Sequence, residues 1–155
     1  MEASDLLHQY PPQQNRPPFT LEELLYKSIY FVNEEPEIGI HISFESLKSF
    51  CIPDIYTRII DHIVATIRYA IQMYPTYNIY INLKGITITS MDKYRDFLMK
   101  ASNVMLQYDE FYTQLNHIYV LQAPTFVKQL LTLIKTITPH IINNIKVVPN
   151  EKKNK

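Results

Sequence analysis

Apolar residues recur along this chain in two alternating rhythms. From Thr20, the segment "TLEE" has the form of a capping box, in which Thr20 and Glu23 satisfy each other's backbone donors. Leu21, Leu24, Leu25, Ile29 and Val32 then share one face, which predicts a helix over 20–33. Asn33 to Glu37, with Pro36, breaks that rhythm. In "EIGIHISF", Ile38, Ile40, Ile42 and Phe44 alternate with small or polar residues, which predicts a half-buried strand. "ESLKSF" reads as a short turn or helical piece. Pro53-Asp54 opens the longest helical pattern, carried by Ile55, Ile59, Ile60, Ile63, Ile67, Ala70, Ile71 and Tyr74 and ended by Pro75.

The same alternation continues to the C-terminus. "YNIYINL", Tyr77 to Leu83, predicts a strand closed by Gly85. Ser90 is placed to cap a helix over 90–106, with Met91, Tyr94, Leu98, Ala101 and Met105 on its apolar side. His117 to Leu121 predicts a strand. Pro124 or Thr125 opens a helix over 125–138, whose inner side is Phe126, Val127, Leu130, Leu131, Ile134 and Ile137, and Pro139 ends it. "NNIKVV" predicts a last short strand. Helices alternating with strands predict an α/β fold, a mostly parallel four- to five-stranded sheet with helices packed on it. The runs at Tyr77–Leu83 and Ile118–Leu121 are nearly continuous in apolar and aromatic residues, as expected of central strands covered on both faces. The organisation expected is a Pro-rich extended arm over 1–19, one domain over 20–149 and a polar, basic tail over 150–155.

Composition narrows the function classes. At 155 residues and 46% hydrophobic, the chain suits one domain with a real core. Fifteen basic and fifteen acidic residues cancel, so the electrostatic footprint of a nucleic-acid-binding protein is missing. Tyr69, Tyr74, Tyr80 and Tyr119 fall in apolar segments and read as core tyrosines rather than a base-stacking platform. No apolar run reaches the length of a membrane span, and no leader pattern opens the chain. A cytoplasmic protein is expected, with at most peripheral membrane contact through Lys152, Lys153 and Lys155. The abundance of isoleucine, asparagine, lysine and tyrosine matches A/T-rich codons, as in an A/T-rich genome of a protist, a bacterium or a large DNA virus.

The search for catalytic chemistry returns little. His8, His41, His62, His117 and His140 have no metal-ligand spacing with one another or with Cys51, so no metal site is expected. Cys51, the single cysteine, reads as a buried small hydrophobe. Two glycines cannot write a phosphate-cradling loop or a dinucleotide fingerprint. No catalytic residue and no cofactor is expected. The arm "YPPQQNRPPF" reads first as a solvated leader, and second as a segment able to dock a protein partner in polyproline form.

One corner says more. "FYTQLNHIYVLQAPTFVKQLLTLIKTITPHIINNIKVV", Phe111 to Val148, resembles the CRAL-TRIO lipid-binding family, which writes an aromatic-led "YPERL" element, an apolar strand, "NAP", an amphipathic helix and a closing "KIVV" strand. Here Phe111 takes the leading aromatic and Leu115 the leucine. Ile118 to Leu121 takes the strand, Gln122-Ala123-Pro124 the corner, Phe126 the following aromatic, and Ile145 to Val148 the closing strand. Upstream, "IYINLKGI" is similar to the family's "viiDlkGl", with Leu83, Lys84 and Gly85 matching and Asn82 in place of the aspartate. Tyr112 and Thr113 stand where the family has proline and glutamate. The resemblance spans roughly 55–148. It implies a lipid or other hydrophobic ligand in a cavity walled by Phe126, Leu130, Ile134 and Ile137, with Tyr94 and Leu98 from the helix over 90–106. Spacing alone reads those side chains as core. The family continues beyond the strand matched at Val148 into segments that complete its cavity, so a minimal form is expected.

A second, weaker resemblance links "INLKGITITSMDKY" to STAS domains, in which a serine at the helix start is phosphorylated; Ser90 would be that residue. The leading expectation is a non-enzymatic minimal CRAL-TRIO-like module that binds a hydrophobic ligand. The alternative is a protein-interaction or structural module that kept the fold and filled the pocket, with a STAS-like regulatory domain behind both.

Overall fold

The protein is described here by a computed structural model over residues 19–150. The predicted arm, apart from Phe19, and the tail from Glu151 lie outside the described residues. Helix α1 (Leu21–Ser28) starts at the predicted capping box: Glu23 N–H donates to Thr20 Oγ1 at 3.1 Å, and Thr20 N–H donates to Glu23 Oε1 at 2.9 Å. It ends sooner than its apolar spacing predicts. Ile29 is extended, and Ile29–Val32 forms strand β1, so the two last residues of the expected helical stripe belong to a sheet. The run Ile-Tyr-Phe-Val is β-branched and aromatic, and pairing with the next strand overrides the i, i+4 pattern. His62 Nε2 lies 2.8 Å from Ile29 O and ties this junction to the long helix.

Strand β2 (Gly39–Ser43) follows, then a single helical turn α2 (Phe44–Leu47), a 3₁₀ turn (Pro53–Ile55) and α3 (Tyr56–Met73). Strand β3 spans Tyr77–Asn82. The helix expected over 90–106 is two helices, α4 (Ile88–Lys93) and α5 (Arg95–Met105), broken at Tyr94. The segment around Asp109-Glu110, expected as a linker, is a short helix α6 (Asp109–Thr113). Strand β4 (Leu115–Leu121), α7 (Val127–Ile137), a 3₁₀ turn (Pro139–Asn144) and β5 (Ile145–Val147) complete the chain.

The five strands form one sheet in the order β1-β2-β3-β4-β5. The β1–β2 pair is antiparallel, and the other three pairs are parallel. Ile79 stands beside Ile118 and Ile81 beside Val120, so the strand after Asn116 runs parallel to that of Ile79, as predicted. The fold is therefore α/β and mostly parallel. Sequential strands joined by right-handed crossovers place every crossover helix on the same side. Accordingly α3 contacts α5, and α5 contacts α7, in a single layer.

Among the described residues, that single layer corrects the expectation of strands covered on both faces. The face away from α3, α5 and α7 carries a register-aligned row across the whole sheet: Tyr30, His41, Tyr80, Tyr119 and Lys146. The aromatic rings stack on one another, with centroids 5.6 Å apart for Tyr30–His41, 4.6 Å for His41–Tyr80 and 5.0 Å for Tyr80–Tyr119. Tyr80 and Tyr119 are thus half-buried by their neighbours in this row, outside the helix-covered core that was expected to hold them. Each such pair contributes about 0.5–1.5 kcal/mol beyond its area.

The corner after β4 is held by backbone geometry. Gln122 has φ 51°, the left-handed region, and Pro124 O accepts from Val127 N at 3.1 Å as α7 begins. A residue with a side chain costs about 1–2 kcal/mol there. Gln122→Gly is therefore expected to match or exceed the parent's stability, by up to about 1 kcal/mol, and Gln122→Val to lose about 1–2 kcal/mol. Urea unfolding of both variants checks this; equal effects would contradict the left-handed turn.

Candidate functional site

The helix layer fills its two halves differently. From α3, the buried Ile59, Ile60 and Ala70 pack closed on the sheet, while the buried Ile63 and Ile67 line a cavity. Over β3 and β4, α5 presents Phe97, Ala101 and Ser102. Two consecutive small residues stand where a larger side chain would reach the sheet. On the far side of α5, α7 presents Leu130 and Leu133 as buried residues, with Leu131 and Ile134 half-buried. A cavity of about 290 Å³ lies between α4, α5, α7 and the sheet.

The cavity wall runs the length of the strands. At one end stand Phe44, Leu83, Ile86 and Met91, near the C-terminal ends of β2 and β3. At the other stand Tyr77, Leu115, Tyr112 and Ile141, near the N-terminal ends of β3 and β4. Ile79, Ile81, Ile118 and Val120 form the floor. Tyr77 to Leu83 spans roughly 20 Å at the usual strand rise. A volume of about 290 Å³ along such a wall has the bore of one hydrocarbon chain.

The expected site residues divide. Leu130, Ile134, Tyr94, Leu98 and Ser90 line the cavity. Phe126 and Ile137 are half-buried at the two ends of α7 and do not line it. Ser90 is not the helix cap. Thr87 caps α4, and Ser90 is its third residue, bonded back in a capping box: Ser90 N–H donates to Thr87 Oγ1 at 3.1 Å, and Thr87 N–H to Ser90 Oγ at 3.3 Å. Sequence reasoning passed over the strand floor and Ser102. The floor was readable from the period of two in β3 and β4. Ser102 was hidden because a serine inside an amphipathic pattern reads as neutral.

Polar groups on the wall are few. Tyr77 OH donates to Phe111 O, and burial together with Tyr112 nearby pushes its phenol well above the ordinary tyrosine range. Tyr94 OH donates to Lys48 O at 3.4 Å. Tyr112 is raised by burial, an effect moderated by the Thr138 hydroxyl beside it. Cys51 is buried, and burial raises its thiol to about 11, with Lys93 pulling the other way. It is therefore a neutral, weakly polar wall group rather than a nucleophile. Lys48, which is exposed, is the only charged residue among those lining the cavity. Among the described residues no group of three or more His, Cys, Asp or Glu side chains is placed to hold a metal ion, and no helix is long and apolar enough to cross a membrane.

The chain matches no known family model and no curated protein.

The cysteine gives a signed pH test. In the unfolded chain its thiol ionises near 9.0, and in the folded chain near 11. Between those values the unfolded state holds fewer protons, so stability falls as pH rises from about 9 to 11, by about 2–3 kcal/mol from this group. Urea unfolding at pH 8 and pH 10.5 is expected to show the loss, and Cys51→Ala to reduce it, the buried tyrosines supplying the remainder. An identical pH dependence in Cys51→Ala would contradict the buried thiol.

Proposed function

We propose that this protein is a non-enzymatic carrier or sensor of a small hydrophobic ligand, built as a minimal CRAL-TRIO-like module, with the ligand lying between α5, α7 and the floor of β3 and β4. The observation that carries the reading is the apolar cavity itself, on whose wall Leu130, Ile134, Tyr94 and Leu98 stand. The resemblance of the stretch from Phe111 to Val148 to the CRAL-TRIO pattern supports this reading, and the parallel β3–β4 pair followed by α7 is compatible with it.

Size decides the ligand class. At about 30 Å³ per water-sized group, 290 Å³ accommodates roughly ten non-hydrogen atoms. A two-tailed phospholipid is several times too large. One medium-length chain or a compact ring compound fits. Burying ten methylenes yields roughly 8 kcal/mol gross, at about 0.8 kcal/mol each. Association costs at least several kcal/mol, so the net affinity is moderate and binding is reversible. That is the behaviour of a carrier or a sensor.

A second reading, a protein-interaction or structural module, draws on the sheet face that no described helix covers, with its stacked row from Tyr30 to Tyr119. The two readings separate at Ala101, a small wall residue on α5. Ala101→Leu extends three carbons toward the cavity. With a genuine void it is expected to raise stability by about 1 kcal/mol and to weaken hydrophobic-ligand binding about tenfold. Overpacking of an already filled core would instead cost about 1–3 kcal/mol. Native mass spectrometry of the gently purified parent is expected to show a co-purifying small apolar compound that Ala101→Leu lacks. A ligand-free parent together with a destabilised Ala101→Leu would overturn the carrier reading.

A further inference from the structure

The two edges of the sheet carry opposite charge. From Thr20 to His41, the stretch that contains β1 and enters β2, there are five glutamates and one lysine. From Phe111 to Asn150, the stretch that contains β4, α7 and β5, there are three lysines and no acidic residue. Glu34, Glu35 and Glu37 follow β1, and Lys128, Lys135 and Lys146 lie on α7 and β5. All six are exposed, and none joins an ion pair among the described residues. The whole chain is neutral, so charge is separated across the sheet rather than in excess.

Topology sets the two groups level with each other. The glutamates precede Gly39 and so lie where the parallel strands begin. Helix α7 runs back from the end of β4 to the start of β5, which brings Lys135, in its last turn, to that same end. Among the described residues nothing pairs with β1 beyond β2 or with β5 beyond β4. Both edges also carry unmatched apolar groups. At β5 a groove is lined by Leu131, Ile142, Ile145 and Val147. At β1 the exposed Tyr69 ring stands edge-on to Phe31, with centroids 5.4 Å apart. The outer-face row ends in Tyr30, 41% exposed, at one edge and in Lys146 at the other.

We propose that the protein associates head to tail with further copies of itself, the acidic β1 edge of one copy lying against the basic β5 edge of the next. A like pairing, β1 on β1 or β5 on β5, sets glutamate against glutamate or lysine against lysine, and charge disfavours both. In the unlike pairing Glu34, Glu35 and Glu37 meet Lys135, Tyr69 faces the groove, and Lys146 reaches the next Tyr30 ring as a cation–π partner. Side chains carry this contact. Ile29 O is held by His62 Nε2 at 2.8 Å, and Ile145 N–H donates to Ile142 O, so neither edge offers a full backbone ladder. The association is therefore reversible and salt-sensitive, and because each copy keeps one edge free it does not close at a dimer. It is independent of what the cavity holds.

The test follows the mass of the full chain by sedimentation velocity across a concentration series. At about 20 mM salt the mean mass of the parent is expected to rise with concentration beyond that of a dimer, and at about 500 mM, where surface charge is screened, to fall towards the monomer. Two charge reversals probe the edges: Lys135→Glu with Lys146→Glu, and Glu34→Lys with Glu35→Lys and Glu37→Lys. All five positions are exposed, so unfolding midpoints are expected to match the parent. Each variant alone sets like charge against like and is expected to associate at least about tenfold more weakly than the parent. An equimolar mixture, in which each edge again meets its opposite, is expected to restore association. A parent that stays monomeric at low salt, association that stops at a dimer, or a mixture of folded variants that stays apart overturns the proposal. Either variant associating alone as strongly as the parent also overturns it, by placing the contact on another surface.

Discussion

The parallel ladder between β3 and β4 is the contact on which the rest of this molecule depends. It sets Ile79 beside Ile118 and Ile81 beside Val120 and so makes a continuous apolar floor. One residue of slip would turn that floor outward and bring Tyr80 and Tyr119 under the helices. Two features pin the register. The pairing shifts by one residue between Tyr77 and Ile79, and the buried Tyr77 hydroxyl donates to Phe111 O just ahead of β4. Phe111, 1% exposed, anchors that junction from beneath, with the Arg68 guanidinium 4.6 Å from the stacked Tyr108 ring.

From this ladder the two faces of the sheet take different courses. A parallel sheet usually hides both faces. Here α3, α5 and α7 share one side, and the opposite face satisfies its outward residues among themselves in the stacked row of Tyr30, His41, Tyr80 and Tyr119. On the helical side, Ile59 and Ile60 from α3 close the core over β1 and β2, while Ile63 and Ile67 from α3 and the small Ala101 and Ser102 from α5 border the cavity. Small side chains at those two consecutive positions add room on the α5 side of the cavity. It lies on the same strands whose register the ladder fixes.

Most of the architecture could be read from spacing. The long helix, β2, β3, β4 and the helix after Pro124 appear within a few residues of where periodicity and proline place them. The misses share a cause, which is that local pattern was overridden by pairing or capping partners distant from it or just outside it. Ile29 and Val32 continue a helical stripe but pair with β2. Thr87 takes the cap from Ser90, because the capping box forms between those two hydroxyls. Tyr80 and Tyr119 read as core because aromatic rings in an apolar run ordinarily are; only the cross-strand register shows that they stack on the outer face. For the site, Leu130, Ile134, Tyr94 and Leu98 were legible as an inner helical face. Whether that face meets a filled core or a void depends on the summed volumes of side chains from many elements, which no single stretch of sequence contains.

The central feature is an apolar-walled void between α5, α7 and the strand floor. Xenon partitions into such cavities and not into closed packing. Methyl NMR of the protein under xenon pressure is the most direct measurement. The predicted result is saturable shifts at the methyls of Leu98, Val120, Leu130 and Ile134, with Leu25 and Ile59 in the closed half unmoved. Absence of saturable shifts, or small uniform shifts across both halves, would contradict it.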